Sequence, residues 1–238
     1  MSKPRTPVTW YTADLHFDHQ NILSYTKRPW PNVDAMNSAL VDNWNHVVHS
    51  DDTVHVLGDF ALGKRADSVP IGRLLNGHKW LYPGNHDSCW DAGRDGKGKP
   101  GRVAKYVAQF LEWSGFDGII QPPTLGNLGP HIVHLSHLPP IECGDHKAGE
   151  AVYDKEIRFA DKRPEYPPPG IWMLCGHVHC AWLRHGRVIN VGTDAWDYHP
   201  VSEYAILHLI NSVEDTKDEN MQRVQHIEDR RGVLPPID

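Results

Sequence analysis

Five short apolar runs in this chain end in the same way, and that repetition narrows the folds open to it. "VTWYTA" runs into Asp14 and His16, "TVHVL" into Gly58 and Asp59, "KWLY" into "PGNHD" with Asn85, His86 and Asp87, "HIVHLS" into His137, and "IWMLC" into "GHVH" with His177 and His179. Short runs rich in β-branched and aromatic residues, bounded by glycine, proline or polar groups, read as buried strands. Strands side by side in a sheet line up their ends, so side chains remote in sequence converge on one edge. The shared ending therefore predicts a single polar patch assembled from several strand ends.

Further strands are expected at residues 187–191 ("RVINV") and 204–210 ("YAILHLI"). One helix is predicted over residues 34–48, capped by Asp34, with Met36, Leu40, Trp44, Val47 and Val48 on one face. A second is predicted over 103–113, with Val103, Val107, Phe110 and Leu111 as its apolar face and Gly115 as its stop. Strands interleaved with helices indicate an α/β chain, although periodicity leaves open whether one sheet or two stacked sheets form. The 238 residues suit a single domain over 1–238. Trp44, Trp80 and Trp172 lie inside apolar segments and read as core. The polar stretch 139–170 starts just after His137 and ends before the strand leading to His177, a placement expected of an active-site loop or lid. A glycine-rich loop at 91–102 and a polar tail at 211–238 complete the layout.

A net charge of −6 argues against a protein that coats nucleic acid through bulk electrostatics. The basic run Arg94, Lys97, Lys99, Arg102 and Lys105 reads as a solvated loop, with contact to phosphate on a long substrate as the alternative. No apolar run reaches the roughly 18 to 20 residues needed to cross a bilayer. The start "MSKPRTPVTW" lacks the apolar centre of a signal peptide, and Cys89, Cys143, Cys175 and Cys180 form no CxxC pair, so a reducing, cytoplasmic location is expected.

Oxygen from Asp14, Asp59 and Asn85 with nitrogen from His16, His137, His177 and His179 suits Mn, Fe, Zn, Co or Ni rather than an all-oxygen calcium or magnesium cage. Seven side chains exceed the needs of one ion, whereas two divalent ions sharing a carboxylate use them all, with Asp59 as the candidate bridge. His19, in "HFDH", reads as an outer support or helix contact and stays outside the ligand set. Arg28 and Asn43 are explained equally by a salt bridge and a helix polar face. The CxxxxC spacing of Cys175 and Cys180 is not that of a structural zinc site, and Cys175 reads as a buried strand residue.

Taken in order, "DLH", "GD", "GNHD", the lone histidine of "LSHLP" and "GHVH" resemble the calcineurin-like metallophosphoesterase superfamily, above all its compact phage and bacterial members, and "DAWDYHP" extends the likeness to about Pro200. The resemblance implies a four-layer α/β/β/α sandwich with two central mixed sheets flanked by helices. It implies a dinuclear centre that hydrolyses phosphate esters. The first metal would take Asp14, His16, Asp59 and His179, the second Asp59, Asn85, His137 and His177, with a metal-bridging hydroxide attacking phosphorus in line. His86 takes the part of general acid, with Asp87 orienting its ring. The family's small-diester members point to a phosphodiesterase acting on nucleotide-type diesters, cyclic ones included. A phosphomonoesterase and a non-catalytic scaffold of the same fold are the alternatives. The partner implied is a small phosphodiester or nucleotide, with nucleic acid entering only as substrate and neither membrane nor protein partner called for. An HD-type phosphohydrolase is disfavoured because "KWLY" reads as a strand where that fold is helical, and "GHVHCAW" lacks the HxHxDH pattern of a metallo-β-lactamase.

Overall fold

All five recurring runs become strands in the computed structural model of the protein, which describes residues 5–93, 98–143, 159–214 and 224–225. In chain order the elements are β1 (Thr9–Thr12), α1 (Ile22–Tyr25), α2 (Val33–Val47), β2 (Thr53–Val56), α3 (Arg65–Ser68), β3 (His78–Leu81), α4 (Pro100–Ser114), β4 (Gly118–Ile119), β5 (Thr124–Leu128), β6 (His131–Leu135), β7 (Ile171–Cys175), β8 (Arg184–His185), β9 (Val188–Asn190), β10 (Val201–Ser202), α5 (Glu203–Glu214) and β11 (Val224–Gln225). Arg94 and Lys97 of the basic run, residues 144–158 of the 139–170 stretch, and residues 215–223 and 226–238 of the tail lie outside the described residues.

The strands form two mixed sheets. One has the order β10-β1-β2-β3-β4, parallel except for β10, and the other the order β11-β8-β9-β7-β6-β5, in which β9, β7 and β6 are parallel. Register decides what meets what. Thr12 pairs with Val56 and Val56 with Leu81, so the loops carrying Asp14, Asp59 and Asn85 leave the first sheet flush with one another. Leu135 pairs with Leu174 in the second sheet, which brings the loops carrying His137 and His177 together in the same way.

Between the sheets lies a core of Tyr11, Leu57, Tyr82, Val133, Leu135, Trp172, Leu174 and Ile189. His55 belongs to this layer and not to the polar patch. Its ring stacks on Tyr11 at 5.1 Å, its Nδ1 is 3.0 Å from the Tyr82 hydroxyl, and burial pushes its pKa down to about 4. Helices α2 and α4 cover the outer face of the first sheet, where Met36, Leu40, Trp44 and Phe110 meet Val54, Val56 and Leu81. Trp44 is fully buried and donates its indole N–H to the Asn76 carbonyl at 3.0 Å, which satisfies the ring's one polar atom.

Several local expectations need correction. Residues 204–210 belong to helix α5, not a strand: Ile206, Leu209 and Ile210 recur at helical spacing and enter the inter-sheet core. Helix α2 is capped by Asn32, whose extended backbone lets its side chain accept from the Ala35 amide at 2.9 Å, while Asp34 sits in the first turn. Helix α4 starts at Pro100, a residue suited to the first helical turn, and ends at Gly115 in left-handed backbone as expected. Among the described residues Cys143, Tyr166 and Trp182 pack against Met173, Cys175 and Val188 of the second sheet. The described chain is thus a mixed α/β sandwich built on two mixed sheets. No helix among the described residues is long and apolar enough to cross a membrane.

Candidate metal centre

The loops that leave the strands are tied to one another by their backbones. Asp14 N donates to Gly58 O at 3.0 Å, His16 N to Asp59 O at 2.9 Å, and Gly176 N to His137 O at 3.0 Å. Across the sheets, His177 N donates to the Asp14 carboxylate at 2.9 Å. Close approach needs glycine: a Cβ on Gly58, whose φ is +86°, would lie 2.6 Å from Gly84 N, and one on Gly84 would overlap the Asp59 carboxylate.

Five of the seven expected ligands, Asp14, His16, Asp59, His177 and His179, have φ between +48° and +72°. Left-handed backbone at a residue with a side chain costs about 1–3 kcal/mol and concentrates at functional sites. Five such residues around one point aim their side chains inward at a cost that packing alone would not select.

These side chains meet. Asp14, His16 and His179 form one group and Asp14, Asp59 and His137 a second, each with its candidate ligand atoms within 4.8 Å of one another. Asp14 is the residue shared by both groups, whereas Asp59 is a member of the second. The Asp59 carboxylate also spans them, since its Oδ2 lies 3.6 Å from His16 Nε2 and 3.4 Å from His137 Nε2. Asn85 Oδ1 is 3.0 Å from His137 Nε2, and the His177 ring stands edge-on to His137 at 5.3 Å. His177 Nε2 is 3.4 Å from Arg163 Nη2, so a guanidinium that the sequence reading passed over borders the centre.

The donor set fits cations. His16 Nε2 is buried without a hydrogen-bond partner, and burial lowers the pKa of the ring, which leaves a neutral nitrogen facing Asp59. His137 donates Nδ1–H to Leu57 O at 2.9 Å, so its Nε2, set between two oxygen acceptors, must carry a proton or give way to a metal ion. Burial would lower the His137 pKa, but the Asp59 carboxylate raises it to about 9. Burial raises Asp14, whereas Asp59 sits below its usual range because the histidines around it outweigh its own desolvation.

His86 is more open than His16, His137 and His179, with its side chain 31% exposed and its Nε2 3.8 Å from Asp59 Oδ2. Asp87 bonds to the backbone of the neighbouring loop. Its carboxylate accepts from Asp59 N and Gly84 N at 2.8 Å and from Phe60 N at 3.2 Å, so it braces the Asp59 loop. His19 Nδ1 lies 3.3 Å from His16 Nδ1, where it steadies the His16 ring and leaves that ring's other nitrogen facing Asp59.

Sequence reasoning missed the pair that supports the first group. Asp194 accepts from Arg28 Nε at 2.9 Å and Nη2 at 2.8 Å, and its Oδ2 is 3.0 Å from His179 Nδ1. Arg28 also donates to the carbonyls of Asp14 and Leu15, fixing the first ligand loop. The signals available were "KRPW" and "DAWDYHP", too short to join across the chain. Asn43, the other unassigned residue, donates to Tyr198 O at 3.3 Å from the helix face.

Burial would raise the Asp194 pKa, but Arg28 and His179 hold it far below the usual carboxylate range. A lowered folded-state pKa means that this contribution is present above about pH 4 and is lost as acid protonates the group. Asp194→Ala leaves the Arg28 charge buried and is expected to cost about 3–5 kcal/mol, read as a lower urea midpoint at pH 7. An unchanged midpoint would mean that the pair carries no net stability.

No family model matches the chain. A solved structure, the protein of unknown function AQ665 from Aquifex aeolicus, superposes with a TM-score of 0.54 at 24% identity over 86% of this chain and all of that one, a likeness of fold. The gene 66 protein of Mycobacterium phage D29 is 32% identical over 214 residues, covering 87% of this chain and 97% of its own length. That of Mycobacterium phage L5 is 30% identical over 220 residues, covering 87% and 96%. Identity of this level along nearly the whole of both relatives shows that the chain belongs to the family of the mycobacteriophage gene 66 proteins.

Proposed function

We propose that this chain is a metal-dependent phosphoesterase of the calcineurin-like metallophosphoesterase type, acting on nucleotide-type phosphodiesters, cyclic ones included. The observation that carries the reading is the inward convergence of Asp14, His16, Asp59, His177 and His179 on left-handed backbone around the unpartnered His16 Nε2. Asp14, His16 and His179, with Asp59, would hold one ion, and Asp59, Asn85, His137 and His177, with Asp14 alongside, a second. Two divalent transition ions there, Mn, Fe, Ni, Zn or Co, supply Lewis acidity and charge neutralisation for attack on a phosphate ester.

The chain's own groups do the rest. His86, partly open to solvent beside Asp59, protonates the departing oxygen. Arg163 offers the phosphoryl oxygens a cation on the side of His177. Asp87 keeps the Asp59 loop in place through its three backbone bonds, and Arg28 with Asp194 does the same for the Asp14 loop and the His179 ring. All four cysteines are free thiols, in keeping with a reducing, cytoplasmic setting.

Stripping metal with a chelator is expected to abolish turnover of bis-p-nitrophenyl phosphate, and Mn²⁺ to restore it at a rate above that for p-nitrophenyl phosphate. A preference for the monoester would make the protein a phosphatase. Stoichiometric metal binding without turnover under Mn²⁺, Ni²⁺, Fe²⁺ or Zn²⁺ would leave a binding scaffold in place of an enzyme.

A further inference from the structure

The rim of the centre carries a row of rings that metal binding does not require. Tyr25, the last residue of α1, is 70% exposed, and its ring stands edge-on to His19 at 6.1 Å. His19 in turn lies 6.3 Å from His86 and 5.1 Å from His16. Flat rings therefore lead from solvent to His86, the proposed acid, and to His16 beside it.

A single exposed aromatic is ordinary on a protein surface, and Tyr25 is set apart by its position and its rigidity. Ile22 is buried, the Thr26 amide and hydroxyl both donate to its carbonyl at 3.1 and 3.0 Å, and Arg28 N donates to Leu23 O at 3.0 Å. Arg28 is itself fixed to Asp194 and to the Asp14 loop. The turn bearing Tyr25 is thus anchored on both sides while the ring keeps an open face. A ring held in that way contributes little to folding and gains most by covering another flat group.

We propose that Tyr25 is a stacking platform for the base of a nucleoside on the leaving side of the phosphate, which makes nucleoside-containing phosphodiesters the substrate class. This rests on the phosphoesterase reading given above. The chain's net charge of −6 favours short nucleotides over long polyanionic strands as the molecules that reach the platform.

The test uses the full chain loaded with Mn²⁺. Calorimetric binding of adenosine 5′-monophosphate is compared with that of ribose 5-phosphate, which lacks the base, and turnover of bis-p-nitrophenyl phosphate is followed on the same preparation. Adenosine 5′-monophosphate is expected to bind about tenfold more tightly, within the range of single base–aromatic stacks. Tyr25→Ala is expected to erase that ratio and Tyr25→Phe to keep it. Equal affinities in the native protein, a ratio that survives Tyr25→Ala, or no binding of either ligand would overturn the platform. If turnover persists in any of those cases, the phosphoesterase reading stands without it. A ratio that depends on Tyr25 in a protein with no turnover under any metal would keep the base site and remove the phosphoesterase.

Discussion

Asp59→Asn is expected to lose bound metal and to reduce diester turnover about a thousandfold or more, since each ion supplies several kcal/mol of charge stabilisation and about 1.4 kcal/mol is a factor of ten. The carboxylate is buried and its Oδ2 faces His16 at 3.6 Å, His137 at 3.4 Å and His86 at 3.8 Å. Asparagine keeps the shape and leaves Oδ1 able to accept from His86 N, as Asp59 does at 2.9 Å, so the loop has no steric reason to move. What disappears is the negative charge within reach of both ligand groups. Metal content by mass spectrometry, with circular dichroism as the check on folding, separates loss of the centre from loss of the fold. Full metal content with undiminished turnover would remove Asp59 from the centre.

A different signature is expected for His86→Ala, which should retain metal and lose rate. The loss should be about 10² to 10⁴ for a diester with a sugar alcohol as leaving group. It should be far smaller for bis-p-nitrophenyl phosphate, because p-nitrophenolate departs with little help from an acid. The geometry supports this split: His86 is joined to Asp59 through its backbone amide, a bond that alanine preserves, and its ring is the open member of the cluster. Equal losses on both leaving groups would assign His86 to holding the centre together in place of protonating the departing oxygen.

The strands ending at the centre could be read locally because burial on a sheet face and polar strand ends leave a pattern within a few residues, as "TVHVLGD" does. Helix α5 could not: "YAILHLI" is a near-continuous apolar run, which suits a buried strand as well as a helix until a neighbouring core selects Ile206, Leu209 and Ile210. Strand β5, with Gly126 and Asn127 at its middle, carries little strand propensity and is held by pairing with β6.

The sequence by itself determined the α/β class, the strand ends that carry the candidate ligands and the residue types gathered there, because each is written in side chains close together along the chain. Only the tertiary structure decided that two sheets stack, that Asp14 is shared by both groups of candidate ligands, that Asp87 braces the Asp59 loop, and that Asp194 joins Arg28 to His179. Such pairings depend on strand register and on which loops the two sheets press together. The Arg28–Asp194 bond spans 166 positions of sequence, and its attraction must offset the cost of taking both partners out of water, a balance set by tertiary burial that no local pattern encodes.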